Sequence, residues 1–138
     1  MKRIQVVAAV ILSPCKEKVF LARRKANAHQ GGLWEFPGGK RETQESAQAA
    51  LIRELDEELG IHVASTEPLI LLQHDYSDKC IELDVYIVND FSGEPHGAEG
   101  QEVEWVSCKA IRERDFPEAN RAILDALEDY LELSNASS

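Results

Sequence analysis

The sequence predicts an α/β fold in one unit, with strands and helices interspersed along 138 residues. Two observations carry that expectation. Val- and Ile-rich runs bounded by turn residues, such as Ile4 to Leu12 and Ile81 to Val88, read as strands, and two segments free of glycine place apolar residues at helical spacing. Length adds a third, because about 100–200 residues make one domain. We therefore expect a single domain over residues 1–133 and a frayed tail over 134–138.

In chain order, Ile4 to Leu12 ends at the turn signal Ser13-Pro14, and Val19 to Arg23 reads as the returning strand of a hairpin. Leu33 to Phe36 is a short aromatic strand stopped by Pro37-Gly38-Gly39. From Ser46 to Leu59 no Gly or Pro occurs, and Gly60 follows as a stop, which predicts a helix. Ile61 to Leu72 and Ile81 to Val88 read as a strand pair joined by a polar turn around Ser77-Asp78-Lys79. A loop over Ser92 to Gln101 leads to a short strand, Val103 to Ser107. After Phe116-Pro117, a closing helix sets Ala119, Ala122, Ile123, Ala126, Leu127, Tyr130 and Leu131 at helical spacing.

Asp and Glu number 25 against 15 Lys and Arg, a net charge of −10. That balance argues against docking on nucleic acid or on an anionic membrane, both of which favour basic surfaces. An acidic chain can still accept an anionic nucleotide if a metal ion stands between the two sets of charge. Cys15, Cys80 and Cys108 are odd in number and form no C-x-x-C pair, so no disulfide framework or zinc ribbon is suggested and a reducing, cytoplasmic setting is expected. Lys2-Arg3 followed by apolar residues resembles a short signal peptide, but Gln5 interrupts the run and Pro14 sits badly beside a cleavage point. No apolar stretch approaches the ~20 residues of a membrane span.

The predicted first helix carries Arg53-Glu54-Leu55-Asp56-Glu57-Glu58. Taken alone, such a run is a solvated acidic face. Its placement argues otherwise. At about 100° per residue from Ala47, the apolar Ala47, Ala50, Leu51, Leu55 and Leu59 fall at roughly 0°, 300°, 40°, 80° and 120°, and Glu54, Glu57 and Glu58 at about 340°, 280° and 20°. Carboxylates inside an apolar stripe repel one another and are costly unless a cation compensates. Hard oxygen donors without nearby sulfur or imidazole favour Mg²⁺, with Mn²⁺ as a substitute.

Gly39, Glu45 and Arg53-Glu54-Leu55-Asp56-Glu57-Glu58-Leu59-Gly60-Ile61 match every fixed position of the Nudix box, G-x5-E-x7-R-E-U-x-E-E-x-G-U with U a bulky aliphatic. The chain thus resembles the Nudix hydrolases. Arg23-Arg24, His29, Trp34 to Lys40, Gly93 to Gln101 and Phe116 to Asn120 extend the similarity to the MutT-like branch. The resemblance implies an α/β/α sandwich with a mixed sheet and hydrolysis of 8-oxo-dGTP to the monophosphate and pyrophosphate.

It also implies roles. Glu54 is the general base, oriented by Arg53; Gly38 (through its carbonyl), Glu54, Glu57, Glu58 and Glu99 form the metal set, with Glu99 alternatively the base. Arg24, His29, Glu35, Phe36, Gly38 and Asn120 bind substrate, and Glu45 ties the loop to the helix start. For several of these a plainer reading stays open from the residues alone: a helix cap for Asn120, a surface histidine for His29, a solvated loop acid for Glu99. A nucleoside triphosphate partner and a monomer are expected. Lys79 stands where MutT relatives have arginine, and Gly31-Gly32 with Trp34 is closer to pyrimidine-nucleotide relatives, which keeps a CTP or 5-methyl-dCTP pyrophosphatase as the alternative. A non-catalytic base-recognition module is disfavoured because no box carboxylate is missing.

Overall fold

The computed structural model describes residues 2–24, 31–75 and 77–136. Seven strands form one mixed sheet: β1 Lys2–Leu12, β2 Lys18–Arg23, β3 Trp34–Glu35, β4 Gly38–Lys40, β5 His62–Asp75, β6 Lys79–Ser92 and β7 Val103–Ser107. Helix α1 (Ala47–Leu59) covers one face and α2 (Arg121–Ala136) the other. The expected sandwich is present.

β1 explains the architecture. Its residues 7–12 are all buried, the continuous apolar run of a strand covered on both faces. Val7, Ala9 and Ile11 pack with Ala50, Leu51, Leu55 and Leu59 of α1, while Ala8, Val10 and Leu12 pack with Ile123 and Leu127 of α2. One edge of β1 pairs in parallel with β6, from Lys2 with Lys79 to Ile11 with Val88.

The other edge is shared. β2 pairs with β1 only at Ile11 with Phe20 and Leu12 with Val19, after which the two strands part. The segment 34–40 enters the gap: Trp34 and Glu35 pair with β2, and Gly38 to Lys40 pair with β1. Pro37 sits at the switch, where it lacks an N–H to give but accepts from the Ala9 N–H at 2.8 Å. The stretch read from sequence as a stop is therefore β4. Small residues are needed there, because a Cβ on Gly38 would stand 1.9 Å from the Val7 carbonyl oxygen.

Helix α1 starts where expected, with Ser46 as its cap: the Ser46 Oγ accepts the Ala49 N–H at 3.1 Å. It ends at Gly60, left-handed at φ 70°, whose N–H donates to the Asp56 carbonyl. β5 and β6 run to 14 residues each, longer than their apolar cores. The last helix continues to Ala136, so three of the five residues expected in a frayed tail are helical. No Gly or Pro stops the helix there.

Candidate active site

The five apolar residues of the α1 stripe are its buried ones, and the acids flank them as the wheel predicts. The Glu54 side chain is 16% exposed and Glu58 is half-buried, whereas Glu57, at the margin of the stripe, is 55% exposed. Burial pushes the Glu54 carboxyl above its ordinary range against the pull of Arg53. Burial, followed by the charges of Glu54, Glu99 and Glu35, pushes Glu58 up to about 8.

One guanidinium organises this face. Arg53 Nε and Nη2 donate to the two carboxylate oxygens of Glu45 at 2.8 and 3.0 Å, and Nη1 donates to Glu54 Oε1 at 3.1 Å. The Lys40 carbonyl accepts from Nη2 at 3.3 Å, and Glu57 lies 3.5 Å from Nη1. Glu45 also accepts the Glu42 N–H at 3.0 Å and is held near 2 by its bond to Arg53. Its expected task of tying loop to helix is visible in these bonds.

The strand β4 contributes its free edge. Pro37 with Ala9 and Arg41 with Gln5 are bonded positions along β1, so the polar groups of Gly38 and Lys40, one register step away, point off the sheet toward α1. The Gly38 N–H donates to the Glu58 carboxylate. Gly39 faces Glu54 so closely that a Cβ would stand 2.4 Å from the carboxyl carbon.

Glu99 arrives by another route. The last carbonyls of α1 lack helical partners, and the loop after β6 supplies them: His96 N–H donates to Leu59 O at 3.1 Å, and Ala98 N–H and Gln101 Nε2 donate to Glu58 O at 3.0 and 3.1 Å. Gln101 Oε1 accepts the Glu99 N–H, fixing the backbone of the acid. Glu99 thereby adds its charge to Glu54 and Glu58.

Beside this face lies a cavity of about 290 Å³, lined by Arg24, Glu35, Phe36 and Asn120. Arg24 Nη1 donates to Glu35 Oε2 at 2.9 Å, and burial raises the Glu35 carboxyl despite that partner. Phe36 is buried and stacks on Phe116 with centroids 5.4 Å apart. Asn120 ends a 3-10 turn, Glu118–Asn120, just before α2; its N–H donates to Pro117 O, and its side chain caps no helix in the described contacts. His29 lies outside the described residues.

Sequence reasoning missed the opposite wall, made by Leu72, Gln73 and His74 of β5 and Ile81 and Leu83 of β6. The signal was present for the last two, since Ile81 and Leu83 continue the inward face of Val85 and Ile87. They line the cavity together with Ala122 and Ile123 from the first turn of α2.

A divalent ion suits this donor set: hard oxygens, crowded enough to resist ionising together, with one guanidinium among them. Among the described residues no three acidic, imidazole or thiol groups already converge on one point. Arg53 engages Glu54 and Glu57, and Gly38 engages Glu58.

The NUDIX domain model matches residues 7–126. The chain is 38% identical to the 8-oxo-dGTP diphosphatase of Escherichia coli over 93% of its length and 98% of that protein's. It is 40% identical to the CTP pyrophosphohydrolase of Escherichia coli, over 91% of this chain and 92% of that one. A solved MutT structure from work on Aliivibrio salmonicida and Vibrio cholerae superposes with TM-score 0.81 at 37% identity, covering 91% of this chain and 97% of that one. Box, fold and relatives agree along nearly the whole chain, and the protein belongs to the Nudix family of hydrolases.

Proposed function

We propose that this protein hydrolyses oxidised purine nucleoside triphosphates, 8-oxo-dGTP foremost, to the monophosphate and pyrophosphate, and so removes miscoding precursors before DNA replication. The observation that carries the reading is the cavity of Arg24, Phe36 and Asn120 opening beside the α1 carboxylates through Glu35.

In this reading Glu54 takes the proton from the attacking water, and Arg53 holds its carboxylate in one rotamer. A raised Glu54 pKa brings the base nearer to neutral pH, where proton transfer is most efficient. Glu54, Glu57, Glu58, Glu99 and the Gly38 carbonyl would hold a divalent ion, Mg²⁺ or in its place Mn²⁺, which would supply the positive charge that admits a triphosphate to this acidic face. Phe36 and Arg24 form the floor and side of the base pocket. The Asn120 amide offers a donor and an acceptor side by side. Guanine presents two acceptors on its N7/O6 edge, whereas 8-oxoguanine carries a proton on N7, so one amide satisfies both of its groups and leaves an unpaired group when guanine binds.

The 40% identity to a CTP pyrophosphohydrolase favours pyrimidine triphosphates as the second reading. Initial rates on 8-oxo-dGTP, dGTP, CTP and 5-methyl-dCTP at fixed Mg²⁺ separate the two, and equal efficiency on CTP or dGTP would overturn the first. Replacing Glu54 with Gln is expected to abolish turnover while sparing nucleotide binding; retained turnover moves the base to Glu99.

The chain works as a cytoplasmic monomer in this account. Three free thiols suit a reducing compartment, and no described helix is long and apolar enough to cross a membrane. The exposed edge strand β5 carries Pro68 and three register shifts, devices that oppose pairing with a second copy.

A further inference from the structure

Far from the carboxylates, the turn between β1 and β2 and the chain just after β7 enclose a second cavity of about 480 Å³. Two of the three thiols line it, Cys15 and Cys108. Cys15 is exposed and Cys108 is half-buried. Cys108 is bonded to the turn that carries Cys15: its N–H donates to the Glu17 carbonyl at 2.8 Å, and its thiol reaches the Lys16 carbonyl at 3.6 Å. Cys15 is the residue before Lys16, one chain step of about 3.8 Å away. A disulfide requires Cα atoms about 4.4–6.8 Å apart, so closure requires the turn to carry Cys15 to within that span of Cys108.

In the turn, Pro14, Cys15 and Glu17 are exposed and Lys16 holds a left-handed φ of 61°. The turn closes through Ser13, whose Oγ accepts the Lys18 N–H at 3.0 Å, and it is tied to the fold at Ser13 by Asn89 and at Lys16 by Tyr130, so Cys15 sits between two anchored residues with its own side chain exposed. The charge of Cys15 is felt at Cys108, behind the larger effect of burial, as expected for neighbouring sulfurs. Cys80 lies elsewhere, on β6 against Asp75.

We propose that Cys15 and Cys108 are an oxidation site that closes to an intramolecular disulfide when the protein meets hydrogen peroxide. The exposed Cys15 sulfur attacks the peroxide, breaking its O–O bond and leaving a sulfenic acid and water. The Cys108 sulfur then attacks the Cys15 sulfur, a second water leaves with the Cys108 proton, and the S–S bond forms. Two thiols are oxidised by two electrons and one peroxide is reduced.

The test uses the full chain, dilute, treated with hydrogen peroxide and then alkylated. Free thiols are expected to fall from three to one, with the loss of two hydrogens in intact mass and recovery on reduction. Cys80→Ser must still form the link, and Cys15→Ser and Cys108→Ala must both abolish it, with circular dichroism showing that each variant is folded. A link that survives Cys15→Ser, oxygen gained in place of hydrogen lost, a covalent dimer, or three thiols remaining in excess peroxide would each overturn the proposal. The readout is mass and thiol count, so it stands apart from the catalytic reading.

Discussion

Replacing Gly39 with alanine tests the positioning of Glu54 without touching that residue. The new Cβ would stand 2.4 Å from the Glu54 carboxyl carbon and 2.5 and 2.6 Å from its oxygens, where ordinary contact begins at 3.4 Å. The difference, 1.0 Å, is the least distance the carboxylate must retreat. A catalytic group misplaced by about 1 Å loses on the order of 100-fold in rate, about 2.7 kcal/mol of barrier at ~1.36 kcal/mol per tenfold. Because the obstacle is the end of a flexible side chain, the fold should be spared, and a stability change below about 1 kcal/mol keeps the melting temperature within about 4 °C. Gly38→Ala is the contrast. Its Cβ meets backbone, 1.9 Å from Val7 O and 2.7 Å from Ala8 Cα, so β4 must leave β1 and the protein should unfold or aggregate. Pyrophosphate release at saturating Mg²⁺ separates kcat from KM, and calorimetry reads stability. If Gly39→Ala keeps kcat within about threefold of the parent while melting normally, well inside the loss argued above, Glu54 is not the base at the position described.

Other outcomes follow from the same geometry. The Glu45 carboxyl is held near 2 in the fold, so its stabilising effect is present above its unfolded value of about 4.5 and is lost as pH falls toward 2. Glu45→Gln should therefore show a shallower fall in melting temperature between pH 5 and 2, together with a tenfold to hundredfold (~10–100) loss of kcat from the loosened Arg53. Asn120→Ala should reduce the preference for 8-oxo-dGTP over dGTP by roughly 10- to 100-fold with kcat on dGTP nearly unchanged, read from competing-substrate rates. Leu55, fully buried between the two halves of the acidic run, should cost about 2–5 kcal/mol when cut to alanine, visible in urea titration.

The site was legible in sequence where chemistry and periodicity coincide. The α1 stripe, the flanking acids, Ser46 and Gly60 follow from local spacing, and local spacing survives folding. Glu57 shows the margin of that method, since 280° on the wheel put it at the rim of the stripe and the rim is 55% exposed. The strand β4 was hidden because Pro37-Gly38-Gly39 has the composition of a turn, and only pairing with β1 makes it a strand. The parallel pairing of β1 with β6 joins residues more than 70 apart, which no local pattern reports. Likewise, alternation told that Ile81 and Leu83 share a face but not that they line a cavity with the first turn of α2. In β5, shifts at Val63/Ser65, Ser65/Glu67 and Pro68/Ile70 break the alternation itself and hide the strand's true length.

The segment that crosses from β2 to β1 has one further consequence. Phe36 lines the cavity that also holds Asn120, and Gly38 faces the carboxylates, two residues apart on one short piece of chain. Only Pro37, at the bend between β3 and β4, separates them, so the two are coupled through the backbone and neither can drift far without the other. Under the proposed function, the segment would act as a ruler that sets the span from nucleobase to phosphate through the backbone, leaving the side chains around the cavity to vary while that spacing is kept.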